Sequence, residues 1–241
     1  MPFLPLGDET PRVLIDRPYV TWGVIGLCVA VFLVQLSATP EAQQAMVFAY
    51  GLIPAVLTGD AALRPDLAVI PAWATIATSM FLHGGFGHLL GNMLFLAIFG
   101  DNIEDAMGHR RFIAFYLICG AVAALTHVFV APDVGKPMVG ASGAISGILG
   151  AYLMLHPKAW VTFLLGIFPL ALPAWILLGA WFLIQFTSAL GGGSGGVAWW
   201  AHVGGFVAGV VLIGRFRHHS LPFSGGGAPR GLRLKKRAPR R

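Results

Sequence analysis

Long apolar runs separated by short polar stretches set the first limit on what this chain can become. A bilayer core takes about 20 mostly apolar residues per helix. Six stretches meet that reading, at 20–36, 88–105, 112–130, 142–155, 172–187 and 197–215. The fourth is short and starts in a glycine-rich turn, and the fifth follows an apolar segment, 160–170, broken by Pro169 and Pro173. With 56% hydrophobic and only 11% charged residues, the chain is too apolar for a soluble domain whose surface must face water. The expectation is an all-α polytopic membrane protein. Residues 1–19 form an N-terminal segment, 20–215 a six-helix membrane domain with a long first outer loop, and 216–241 a basic tail. The opening twenty residues mix acids, prolines and arginines before any apolar run, unlike a cleavable signal, so the first span is expected to stay in place.

Orientation follows from the cations. With the N-terminus cytoplasmic, Arg12, Arg17, Arg110, Arg111, Lys158 and the tail from Arg215 to Arg241 lie inside, and only Arg64 and Lys136 lie outside. That partition obeys the positive-inside rule. The tail then serves topology and anionic lipid, and no nucleic-acid partner is expected. The expected setting is a bacterial inner membrane with both termini cytoplasmic. The first outer loop, 37–87, is long enough to hold helices of its own, and the last, "SALGGGSGGVA", carries few large side chains and is expected to be mobile.

In this topology the second, fourth and sixth spans all run from outside to inside, which brings three polar clusters to one depth. The second span opens with "HGGFGHLLGN", placing His88 and Asn92 at i, i+4 on one helix face. In the fourth, "GASGAISG" sets Ser142 between Gly140 and Gly143, while in the sixth His202 follows the interfacial pair Trp199 and Trp200. Gly143, Gly147 and Gly150 stripe the fourth span; Gly205 and Gly209 follow His202 on the sixth. Small-residue faces let membrane helices approach backbone to backbone, so Ser142 and His202 are expected within hydrogen-bond reach.

Intramembrane ionisable residues are costly and commonly functional, and this set fits nucleophilic hydrolysis. Neutral His202 would take the Ser142 proton and return it to a leaving amine. The oxyanion would meet the Ser142 backbone N–H, the Asn92 amide and the His88 ring. No Asp or Glu lies in the sixth span to orient the imidazole, so the site reads as a Ser/His dyad. His83 and His127 read as structural, and His109, His156, His218 and His219 as cytoplasmic, solvated or lipid-facing groups. With no His-Glu-x-x-His helix and no Cys/His cluster, neither metal nor cofactor is expected. Cys28 and Cys119 sit inside apolar runs, away from any disulfide framework.

"HGGFGHLLGN", "FGDNIEDAMG", "GASG" and "AHVGGFVAG", in that order, resemble the rhomboid intramembrane serine proteases in their six-span bacterial form. The resemblance spans 81–209. It implies Ser142 as nucleophile, His202 as base, and His88 and Asn92 at the oxyanion, with Glu104 and Gly108 serving the turn after the second span. It also implies substrates that are membrane-anchored proteins, cut near their outer end at a small residue in an easily unwound helix. The fifth span is implied as a gate. Pro169, Pro173 and the slack "GGGSGG" tether fit that role, with Trp181, Phe182 and Phe186 expected against the second span. The sequence departs from the family twice. Ser146 stands one turn after the nucleophile, where many members carry an aromatic residue packed on the histidine, and no arginine follows Trp73 in the first outer loop. The sequence therefore names no residue that holds His202. A rhomboid-like pseudoprotease binding client helices is the alternative, though such proteins usually lack the serine or histidine. A transporter would need paired broken helices, and a Ser/Lys peptidase a lysine within a span; the sequence shows neither.

Overall fold

A computed structural model describes residues 3–132, 134–191, 197–221 and 223. Strand β1 (Phe3–Asp8) precedes α1 (Tyr19–Ser37), and the first outer loop carries α2 (Pro40–Tyr50), α3 (Pro54–Thr58), a 3-10 turn (Ala72–Ala74) and α4 (Thr75–Thr78). There follow α5 (Phe86–Met107), α6 (His109–Val130), α7 (Ser142–Leu155), the strands β2 (Trp160–Leu165) and β3 (Phe168–Pro173), then α8 (Ala174–Leu190) and α9 (Trp199–Phe216). Each of the six apolar runs is thus a helix, and the first outer loop is helical in its own right. Helices α1, α6 and α9 are long and apolar enough to cross a membrane by length and composition, while α7 and α8 are apolar but shorter. The "GGGSGG" tether beyond Gly191 and most of the basic tail lie outside the described residues.

Helix α7 is short and central. Nearly all of it from Ala144 onward is buried, packed by α5, α6, α8 and α9. The largest buried side chains around it are Phe95 and Phe99 of α5, Phe112, Phe115 and Tyr116 of α6, and its own Tyr152. The chain turns from α5 to α6 at Gly108, whose φ of 78° needs glycine.

Segment 160–170, read from sequence as an apolar lead-in to the fifth span, folds instead as part of an antiparallel hairpin. β2 pairs with β3 from Trp160↔Pro173 to Leu165↔Phe168, and β1 closes the sheet on the other side of β2. The order β1-β2-β3 explains the prolines. Pro5, Pro169 and Pro173 all lie on the two edge strands, where a missing N–H leaves no ladder bond unmade, and the central β2 has none. Val161 and Phe163 point from β2 into the core.

This sheet sits at the end of the bundle opposite Ser142, where the N-terminal segment is tied down by side chains of α5 and α7. Asp8 accepts from the Tyr152 hydroxyl at 2.6 Å and from Asn102 Nδ2 at 2.9 Å, and Arg12 pairs with Asp101 at 2.5 Å. Asp105 accepts the backbone N–H groups of Val13, Leu14 and Ile15 at 2.7–2.8 Å. Glu104, fully buried, accepts from Val20 N, Thr21 N and the Thr21 hydroxyl at 2.7–3.0 Å, and its other contact is His109 Nδ1 at 2.5 Å. His109 is therefore a partner of the turn rather than a merely solvated residue. The carboxylate satisfies N–H groups at the start of α1 that have no helical acceptor of their own.

Glu104→Ala should strand those donors, each at about 1–3 kcal/mol, and lower the thermal unfolding midpoint in detergent well below that of Glu104→Gln, which keeps one acceptor oxygen. Equal midpoints for the two variants would show that the carboxylate does not anchor α1.

Candidate active site

Ser142 is the first residue of α7, delivered by a loop that two contacts hold. Leu52 and Met138 exchange backbone hydrogen bonds at 2.7 and 3.0 Å, pinning residues 138–140 to the first outer loop, and Gly140 N donates to Ser79 O at 2.8 Å. The long first loop thus acts as a brace for the residues that precede Ser142. Gly140 has φ of 122°, and a Cβ there would lie 2.7 Å from the His88 ring. No other residue type leaves room for that imidazole.

His202 lies one turn into α9, and its Nε2 is 2.8 Å from Ser142 Oγ. What brings the two together is backbone contact between α7 and α9. A Cβ on Gly205 would overlap the Gly143 carbonyl, and one on Gly209 the Gly147 carbonyl. Gly143 itself lies closer to α6, where a Cβ would meet Ala123 at 2.7 Å, so its part in the α7–α9 contact is its carbonyl.

His88 and Asn92 are on the first turns of α5, beside Gly140. Asn92 is buried and its Nδ2 donates to His88 O at 2.9 Å, which leaves a second N–H on the same nitrogen. His88 Nδ1 receives Gly84 N at 3.4 Å, turning Nε2 toward Gly140 and the serine loop. His83, outside the spans, is 1% exposed with both ring nitrogens unpartnered and its ring 5.3 Å from that of His88. Burial, and then the neighbouring His88, pull its pKa down to about 4, which keeps it neutral. The backbone of His83 exchanges two 3.2 Å hydrogen bonds with the Gln35 amide of α1, so its structural reading fits this place.

All four residues line one cavity of about 670 Å³, bounded on one side by Gly87, Gly91 and Asn92 of α5 and on the other by Trp181, Ile184 and Gln185 of α8. Small residues of α6, Gly120, Ala123 and Ala124, form part of its wall.

The structure answers what the sequence left open about His202. Its Nδ1 is 2.8 Å from Gln185 Oε1, a residue on α8 that no motif marked. Its ring also meets two indoles, Trp181 tilted at 33° and Trp199 edge-on at 87°, each with centroids 6.1 Å away. Ser146, where an aromatic residue was missed, donates to the Ser142 carbonyl at 2.6 Å. The available signal for Gln185 was a lone amide in a mostly apolar helix.

The aromatic residues read as a gate against the second span have other ring partners. Trp181 meets His202 and Phe206, Phe182 stacks on Phe206 at 4.6 Å, and Phe186 meets Trp200. The reason is the second stripe of α9: His202 and Phe206, at i and i+4, present a flat aromatic surface that takes the rings of α8. Trp199, read as an interfacial anchor, is drawn into the site by the same packing.

A protein-family model described as Rhomboid domain matches residues 71–218. RHOMBOID-like protein 6, mitochondrial, of Arabidopsis thaliana is 32% identical over 203 residues, 82% of this chain and 60% of that protein. RHOMBOID-like protein 5 of the same plant is 32% identical over 143 residues, 58% of this chain and 42% of its own length. Rhomboid protease GluP of Bacillus subtilis (strain 168) is 38% identical over 81 residues, 34% of this chain and 15% of that protein. The chain therefore spans under two thirds of the length of these relatives.

If the glycine contact sets the distance between Ser142 and His202, Gly205→Val should abolish labelling of Ser142 by a fluorophosphonate while the protein stays helical. A shift of about 1 Å at a reacting pair can cost a hundredfold. Wild-type labelling of a folded Gly205→Val protein would remove the contact from the account.

Proposed function

The chain belongs to the rhomboid family, and from that membership we propose that it is a serine endopeptidase cutting membrane-anchored proteins inside the bilayer near its outer face. The observation that carries the reading is the 2.8 Å approach of His202 Nε2 to Ser142 Oγ, inside a cavity that also holds Asn92 and His88. His202 accepts the hydroxyl proton as Ser142 Oγ adds to the scissile carbonyl carbon. The new oxyanion is met by the Ser142 N–H, at the unsatisfied first turn of α7, by the spare N–H of Asn92 and by His88 Nε2. Collapse of the tetrahedral intermediate sends the His202 proton to the leaving amine. Water then hydrolyses the acyl-enzyme through the same imidazole acting as base. The residues use no metal and no cofactor in this scheme.

A peptide bond inside a helix is shielded from attack, so the substrate is a membrane-anchored segment that unwinds easily and offers a small residue at the cut. Access is lateral, between α5 and α8, the two helices whose side chains border the cavity. Gly87 and Gly91 leave the α5 border low: a Cβ at either would meet nothing within 4 Å. The cation partition puts both termini on the cytoplasmic side, and we place the protein in a bacterial inner membrane.

Purified wild-type protein in detergent should react with a fluorophosphonate and cleave a model transmembrane substrate. Ser142→Ala and His202→Ala should abolish cleavage, whereas Asn92→Ala, which removes one of several oxyanion donors, should slow it by about 10²–10³. Full cleavage by either dyad variant would overturn the assignment. Bridging cysteines introduced by Gly91→Cys and Ile184→Cys with a bifunctional reagent should block a transmembrane substrate yet spare the small probe. Undiminished cleavage in the bridged protein would exclude lateral access.

A further inference from the structure

We infer that Gln185 is the positioning residue for His202: it selects the imidazole tautomer that can act as a base, and it does so from α8, a helix that carries neither the serine nor the histidine. The inference rests on the protease reading above and adds to it a third member of the site.

The proton assignment follows from valence. Gln185 Oε1 has only lone pairs to offer, so the 2.8 Å contact requires the hydrogen to sit on His202 Nδ1. That leaves the Nε2 lone pair facing Ser142 Oγ, also at 2.8 Å, ready to accept the hydroxyl hydrogen. The amide is oriented by its own helix, because Gln185 Nε2 points toward the Trp181 carbonyl at 3.4 Å. Reversing the amide would bring an N–H to His202 Nδ1 and an oxygen against a carbonyl. Histidine in water favours the opposite tautomer, with hydrogen on Nε2, which cannot act as base toward Ser142. Both side chains are buried, at 6% exposure each, which strengthens the contact between them.

Among the described residues at the site, no other side chain does this work. The other titratable groups that act on His202 are His88 from α5 and His127 from α6. Among the described residues lining the cavity none is a carboxylate. Ser146 is committed to the Ser142 carbonyl. The indoles of Trp181 and Trp199 fix the plane of the ring but offer no acceptor at Nδ1. A neutral amide in place of a carboxylate also fits the surroundings, since it orients the imidazole without leaving a buried negative charge in an apolar bundle.

The test compares wild type with Gln185→Leu, which removes the acceptor at similar size, and Gln185→Glu, which restores one. Nitrogen-15 spectra of histidine-labelled protein, with the His202 signal identified by its loss in His202→Ala, should show the Nδ1–H tautomer in wild type and in Gln185→Glu, and its replacement in Gln185→Leu. The rate of fluorophosphonate labelling should fall about 10- to 100-fold in Gln185→Leu, the scale of losing an orienting partner of a functional imidazole, and recover largely in Gln185→Glu at alkaline pH. Should Gln185→Leu fail to fold, Gln185→Met takes its place. An unchanged tautomer in the Leu or Met variant, or a loss of labelling that Gln185→Glu does not recover, would reduce Gln185 to packing. Absence of labelling in wild type would instead fail the protease reading, while the tautomer spectra would still report on the Gln185 contact.

Discussion

The candidate site rests on two helices touching along their backbones. In an apolar solvent no hydrophobic force drives helices together, and what remains is close packing of atoms with the least side chain in between. Gly205 and Gly209 let α9 lie directly against the carbonyls of Gly143 and Gly147 on α7. Because Ser142 begins one helix and His202 precedes that contact by three residues on the other, their hydroxyl-to-imidazole distance is set by backbone geometry. The braces from Leu52 and Ser79 then fix the loop before Ser142. Side-chain flexibility contributes little freedom to the pair.

His202 draws its two nitrogen partners from two helices. Ser142 on α7 takes Nε2, Gln185 on α8 takes Nδ1, and the indoles of Trp181 and Trp199 confine the ring. An imidazole held by a serine alone could rotate about its Cβ–Cγ bond and exchange the roles of its nitrogens. Held at both, it has one orientation and one tautomer. The same arrangement gives α8 two duties, as a border of the cavity and as a support of His202. Trp181 and Gln185, at i and i+4, sit on one face of that helix and serve both.

The membrane helices were legible in the sequence because apolar length is a strong signal, and the shared depth of His88, Asn92, Ser142 and His202 followed from alternating span direction. The glycine stripes gave the α7–α9 contact, although Gly143 proved to face α6. The hairpin at 160–173 was hidden because its residues are as apolar as a span, and its prolines read as interruptions until the edge positions of β1 and β3 were known. Gln185 was invisible because its meaning depends on which face of α8 meets α9, a rotation that a mostly apolar helix does not encode. Trp181 and Phe182 were expected against the second span, and their ring partners on α9 were hidden for the same reason.

The N-terminal clasp has a bearing on the order in which the molecule can be put together. Tyr152 reaches Asp8 across 144 positions of chain, and β1 can pair only with a β2 that is synthesised after α7. Strand β1 must therefore wait, unpaired, while four spans, α1, α5, α6 and α7, are threaded into the bilayer, whereas the peptide groups bound by Asp105 need only α5. Closure of the sheet follows synthesis of α7, and it couples the segment before α1 to the bundle. A polypeptide stalled before β2 would keep its leading segment open to chaperones and proteases, and one that has completed the hairpin would not.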